Sequence, residues 1–388
     1  MVAVEKDMGF QIMKILNNTP FEVKALPLRG PEGRTVLTVV VKGTFDICSG
    51  EKAEAASEQI PIAFGDEFYD EKNGGSVKFE SDVAPFKPRA DIVLVGKAYA
   101  PHGGSVYALD VSLHVGHVKK TIRVIGDRRW KCSSRLLPEH FSRPQQFSIM
   151  DLVYERAFGG IDTHSGGYCK ENLAGRGFFA KKSKKTLDGA LLPNLEDPAK
   201  LIKSWKDHPM PAGFGFYGKA WMPRAGYLGT YDDKWRLEHS PDPPEDFRFD
   251  YYNGAHPDLQ VKGYLKCDEE VELVNLTPEG TVRFHLPGIR VNCAVSKSFE
   301  HLFADESALG ASKGDDLDAV EQDGINEELE EGKEIEEAEE ASPVSEKVEL
   351  KPDTLCLIPD EKRFYLVWRG LCPINDLSAL EVNTIEVW

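Results

Sequence analysis

The stretch Tyr107-Ala-Leu-Asp-Val-Ser-Leu-His-Val115 decides the fold. Tyr107, Leu109, Val111, Leu113 and Val115 fall at every second position, the period of a strand with one buried face. Gly116-His117 follows as a hairpin-length connection, and Val118–Ile125 reads as the returning strand. Upstream, Asp91–Tyr99 predicts a further strand, linked through Pro101-His-Gly-Gly-Ser105 to one running over Val106–Val115. Thr35-Val-Leu-Thr-Val-Val-Val41 is rich in β-branched residues and predicts a central strand. Before it, Ile12–Leu16 and Phe21–Leu28 predict strands on either side of Asn17-Asn-Thr-Pro20, a turn of residues that bond their own backbone.

Strands resume at Val271–Leu276, Thr281–Leu286, Ile289–Val295, Thr354–Ile358 and Phe364–Arg369. Short helices are expected at Pro198–Trp205 and Val295–Phe303. Residues 1–130 thus read as an N-terminal β lobe, 131–260 as a central block, and 261–388 as a C-terminal β segment completing the fold. The expected class is mainly β, with antiparallel sandwich-like lobes, a long Gly/Pro/aromatic-rich ordered coil and few short helices. A length of 388 residues exceeds the ~250–300 at which one core stops growing, so two packed lobes are expected.

The central block shows neither period. Its runs include Glu155-Arg-Ala-Phe-Gly-Gly-Ile-Asp162, Pro211-Ala-Gly-Phe-Gly-Phe216 and Asp246-Phe-Arg-Phe-Asp-Tyr-Tyr-Asn253. Such a chain must be ordered by aromatic packing and by side chains bonded to backbone. Ordered coil on a regular scaffold is a common seat of function.

Charge is localised. The net value is −17, yet residues 305–346 hold seventeen acidic residues against Lys313 and Lys333, leaving −2 for the rest. A nearly neutral body argues against nucleic acid as a partner. The acidic tract predicts a mobile insertion within the C-terminal strands. The seven cysteines are scattered and odd in number, which predicts free thiols and not a disulfide or zinc framework. No apolar run reaches membrane-spanning length and Met1–Phe10 lacks a signal-peptide core, so a cytoplasmic protein without membrane insertion is expected.

Catalytic and cofactor motifs are weak. Gly159-Gly160 and Gly213-Phe-Gly215 do not lead from strand to helix, and no Gly-Lys-Ser/Thr ending follows them. His114 and His117 sit in a strand–turn context, so neither metal nor cofactor is expected. Glu155, Asp162, Asp197, Asp232 and Asp250 offer the carboxylates a glycoside hydrolase would need, beside Arg156, Arg176, Arg224 and Arg248 as structural partners. Ion pairing is the expected use, and the protein is expected not to be an enzyme.

Several blocks together resemble the bacterial family known as domain of unknown function 2169. They include Asn17-Asn-Thr-Pro20, Val39-Val-Val-Lys-Gly-Thr-Phe-Asp46, Ala84-Pro-Phe-Lys-Pro88, Gly126-Asp-Arg-Arg-Trp130, Glu155-Arg-Ala-Phe-Gly-Gly160 and Asn253-Gly-Ala-His-Pro-Asp258. The resemblance implies a type VI secretion adaptor or chaperone that binds an effector protein and helps load it onto a PAAR-tipped spike. It implies no catalytic residues, and a carbohydrate-active hydrolase is the competing expectation. The regular strands commit their faces to their own core, so the partner surface is expected at Phe214, Phe216, Tyr217, Trp221 and Arg224.

Overall fold

A computed structural model of the chain describes residues 14–70, 75–132, 140–181, 184–297, 344–373 and 382–388. The expected mobile insertion therefore lies outside the described residues, save for its last few. The fold is mainly β and largely antiparallel. A seven-stranded sheet runs in the order Gln260–Lys262, Arg89–Leu94, Lys351–Ile358, Arg363–Pro373, Thr35–Asp46 and Glu22–Arg29, with Glu54–Ala55 alongside Thr35–Asp46. Within it, Arg89–Leu94 and Lys351–Ile358 pair in parallel. A five-stranded antiparallel sheet has the order Leu195–Glu196, Val118–Ile125, Ala108–Val115, Glu270–Val274 and Thr281–His285. A four-stranded sheet joins Lys14–Asn17, Val382–Val387, Cys293–Lys297 and Val344–Val348.

The period-two reading holds at the hairpin. Val115 faces Val118 across Gly116-His117, and Leu109, Val111, Leu113 and Val115 are buried in one core. Tyr107 departs from it. The residue precedes the strand, its ring lies under the Arg143 guanidinium, and 46% of it stays exposed. The two large sheets meet through aromatics: Phe45 stacks on Phe364 at 5.4 Å, and Phe364 contacts Phe284 of the five-stranded sheet at 5.5 Å. Each such ring contributes about 1.5–3 kcal/mol by burial.

Thr35–Asp46 is buried along almost its whole length, yet it carries Lys42. That ammonium is only affordable because Asp82 meets it at 2.8 Å and the Tyr365 ring covers it at 4.0 Å. Beside it, Arg369 bonds Asp353 at 2.7 Å and the carbonyls of Asp82 and Ala84.

Strand pairing crosses both boundaries of the three-part division. Leu195–Glu196 of the central block joins Val118–Ile125, and Gln260–Lys262 joins Arg89–Leu94. One hydrophobic cluster draws on all three parts, with a smaller one around Trp130, Phe158, Leu187 and Leu192.

The helix expected at Pro198–Trp205 is corrected, and the one expected at Val295–Phe303 is corrected at its start. Over Pro198–Trp205, carboxylates take the donors that a helix would give to its own carbonyls. Asp197 accepts from Ala199 N, Glu196 from Ile202 N, and Asp207 from Lys203 N and Ser204 N. The start of Val295–Phe303 belongs instead to strand Cys293–Lys297, paired on both sides, and the remainder lies outside the described residues. Among the described residues the α-helices are Lys184–Leu187 and Asp233–Glu238.

Candidate interaction surface

The central block is ordered as its composition predicts. Asn172 Nδ2 donates to the carbonyls of Tyr154 and Phe158, and Asn194 Nδ2 to that of Ile125. Gly160, at φ +96°, packs on the Gly175 carbonyl, where a β-carbon would collide. Gly213 lies against the Tyr154 ring, whose Cε1 and Cζ stand 2.5 Å from where a β-carbon would be.

The five residues expected to meet a partner are core residues, which corrects that expectation. Phe214 is fully buried, Phe216 and Tyr217 are 2% exposed, Trp221 5% and Arg224 3%. Tyr154, Tyr217 and Trp221 pack edge to face at 5.2–5.6 Å. The Tyr217 hydroxyl reaches the carbonyls of Glu171 and Met222, and burial pushes this phenol far above its ordinary range. The glycines around these rings serve internal packing.

Arg224 is the pivot. Its guanidinium is bidentate on Glu80, while Nη1 donates to the Tyr217 carbonyl and Nε to the Tyr251 carbonyl, both at 2.7 Å. Burial pulls this group down, but the Glu80 carboxylate more than offsets it and holds the guanidinium above its ordinary value. Lys219 closes the network on Asp66 at 2.8 Å and Glu80 at 3.4 Å. One segment further on, buried Asp91 accepts from Lys87, Asn253 and the backbone of Gly254 and Ala255.

Between these two anchors, the chain from Phe247 to Tyr252 presents its rings at the surface. Phe247, Phe249, Tyr251 and Tyr252 are each half-buried, and every one contacts another at 5.3–6.2 Å. Phe86 joins Phe249 at 5.8 Å, and Arg248 covers the Tyr227 ring at 4.5 Å. Tyr231 packs edge to face with Trp235 at 4.5 Å and is 48% exposed, and Leu237, on the short helix that carries Trp235, is 80% exposed. Burial raises the Tyr231 and Tyr252 phenols, with Tyr251 adding to both. Large rings left half open on a rigid underlayer have the anatomy of a protein-binding surface. Sequence reasoning took the aromatics of this block as mostly core and sought the exposed subset at Phe214, Phe216, Tyr217 and Trp221 instead. The available signal was the Pro and acidic density of Ser240–Asp250 around them, which keeps that chain outside.

The hydrolase carboxylates are engaged separately. Glu155 accepts from Ser76 N and Oγ, Asp162 from His164, Ser165 and Ala180, Asp197 from Ala199, and Asp232 from Trp235. Asp250 lies between Arg248 and Arg89. His114 faces Glu272 at 3.9 Å, and no cluster of metal-binding side chains occurs among the described residues. No disulfide joins the cysteines among the described residues. Among the described residues no helix is long and apolar enough to cross a membrane.

No curated protein and no solved structure matches this chain. A family model described as "Uncharacterized protein conserved in bacteria (DUF2169)" matches residues 32–369, so the chain belongs to that family.

Proposed function

We propose that this protein is a cytoplasmic adaptor or chaperone of type VI secretion, acting by binding and not by turnover. It holds an effector and helps load it onto a PAAR-tipped spike. The observation that supports this reading best is the half-open aromatic shelf Phe247–Tyr252, fixed from beneath by Arg224 and Asp91. An adaptor needs apolar area that a partner covers without refolding the adaptor itself, and aromatic anchors on a rigid base supply it.

Affinity purification from the native host tests the proposal. An effector, PAAR or spike protein is expected in the eluate, and Phe249→Ala is expected to weaken its capture by about 2 kcal/mol. Failure to recover any secretion component, with hydrolysis abolished by Glu155→Gln or Asp232→Asn, overturns it in favour of a hydrolase.

A further inference from the structure

The exposed end of the shelf carries a charge pattern that specifies what it binds. From Leu228 to Asp250 the chain has seven acidic residues against Lys234, Arg236 and Arg248. Those three cations are already taken, by Glu238, Asp233 and Asp250 respectively. Asp232 and Asp246 have no cation among the described residues. Asp232 accepts the backbone N–H of Trp235, and Asp246 accepts from the N–H and hydroxyl of Thr230, so each carboxylate keeps free lone pairs.

Their positions bracket one ring. Asp232 directly follows Tyr231, and Asp246 holds Thr230, the residue directly before it. Trp235 packs edge to face with Tyr231 at 4.5 Å, the ring planes 66° apart, forming an aromatic corner. An aromatic face flanked by unneutralised carboxylates is suited to a guanidinium or ammonium, which gains from the ring quadrupole and from both charges.

We propose that the Tyr231–Trp235 corner docks a cationic, arginine- or lysine-bearing segment of the partner protein. The inference rests on the adaptor reading and names the chemistry of its partner. Phosphate-bearing partners are repelled by the same charges.

The test uses the full chain and a fluorescent Arg-Gly repeat peptide, read by anisotropy, with a Glu-Gly peptide as control. Residues 305–346 attract the cationic peptide equally in every variant, so differences between variants report the corner. Tyr231→Ala should weaken binding about fivefold, whereas Tyr231→Phe keeps the ring and should bind normally. The pair Asp232→Asn and Asp246→Asn removes both charges, keeps an amide oxygen for the N–H groups of Trp235 and Thr230, and lets the Thr230 hydroxyl accept where it donated. It should therefore weaken binding with the melting temperature nearly unchanged. Equal affinity across all variants overturns the proposal, as does a dimer in sedimentation that Tyr231→Ala dissolves. In host pull-downs the two readings separate. Undiminished effector capture by the double Asn variant removes the corner and leaves the adaptor. Variant-sensitive peptide binding with no secretion partner removes the adaptor and leaves the corner.

Discussion

The buried Arg224 guanidinium donates its Nε–H to the backbone carbonyl of Tyr251 at 2.7 Å. A side chain that looks like a surface donor in the sequence is instead the support of a half-exposed ring. Its other nitrogens satisfy Glu80 and the Tyr217 carbonyl, so one group ties strand, core and shelf together.

Arg224→Ala should therefore act far beyond its own site. It removes the bidentate partner of Glu80, whose side chain is 7% exposed, and leaves that carboxylate with Lys219 at 3.4 Å, a cation it shares with Asp66. A loss of about 3–5 kcal/mol in urea unfolding is expected. A loss below 1 kcal/mol would show that the pair is dispensable.

Trp221→Ala and Tyr231→Ala should separate core from surface. Trp221 is 5% exposed within the Tyr154–Tyr217 triad, and its truncation should lower stability by about 3–5 kcal/mol. Tyr231 is 48% exposed, and its truncation should change stability by about 0.5 kcal/mol or less. Thermal melts of the two variants decide this, and equal losses would contradict the assignment.

His256 should stay neutral well below neutral pH. Burial first, and then the Lys120 ammonium 3.0 Å from Nδ1, lower its pKa to about 4. Nδ1 accepts from Lys120 and from Asp258 N, while Nε2–H donates to the Pro211 carbonyl, which fixes the tautomer. The unfolded chain takes up this proton near pH 6.5, so stability is complete above that value and falls as pH drops toward 4. An NMR titration showing His256 with a midpoint near that of exposed histidines would refute this.

Asp162 carries an opposite charge but the same direction of pH dependence. The Ser165 hydroxyl, followed by the N–H groups of His164, Ser165 and Ala180, holds its pKa below the usual carboxylate range. Its contribution is full above the unfolded pKa and disappears as pH falls through the lower folded value. The melting-temperature gap between wild type and Asp162→Ala should accordingly narrow in acid. A gap that widens toward acid would reverse the assignment.

Thiol reactivity should single out one cysteine. Cys48 is half-buried and the other six are buried. Burial raises the thiols of Cys267, Cys293 and Cys356 to about 12, leaving almost no thiolate at neutral pH. An aromatic disulfide reagent should modify Cys48 in the native protein and all seven only after unfolding. Rapid native reaction at several sites would disprove the packing.

What the sequence determined by itself was local. Period-two alternation located the strand around Leu113, because side chains on a half-buried pleated strand alternate between core and water. Runs bounded by turns placed Val118–Ile125 to the residue and located the strands around Val271 and Leu355. Glycine and proline density likewise marked residues 151–260 as coil held by side chains. Tertiary structure decided the rest. Pro198–Trp205 has helical composition, but Glu196, Asp197 and Asp207 capture its donors, and which donors they reach depends on the path of the folded chain. The same holds for the site. Phe214 and Phe249 occupy similar Gly- or Asp-rich aromatic runs, and only the placement of Tyr154 over Gly213 and of Arg224 beneath Tyr251 buries the first and leaves the second half open. Those contacts join residues far apart along the chain, so their energies are written in no local pattern of the sequence.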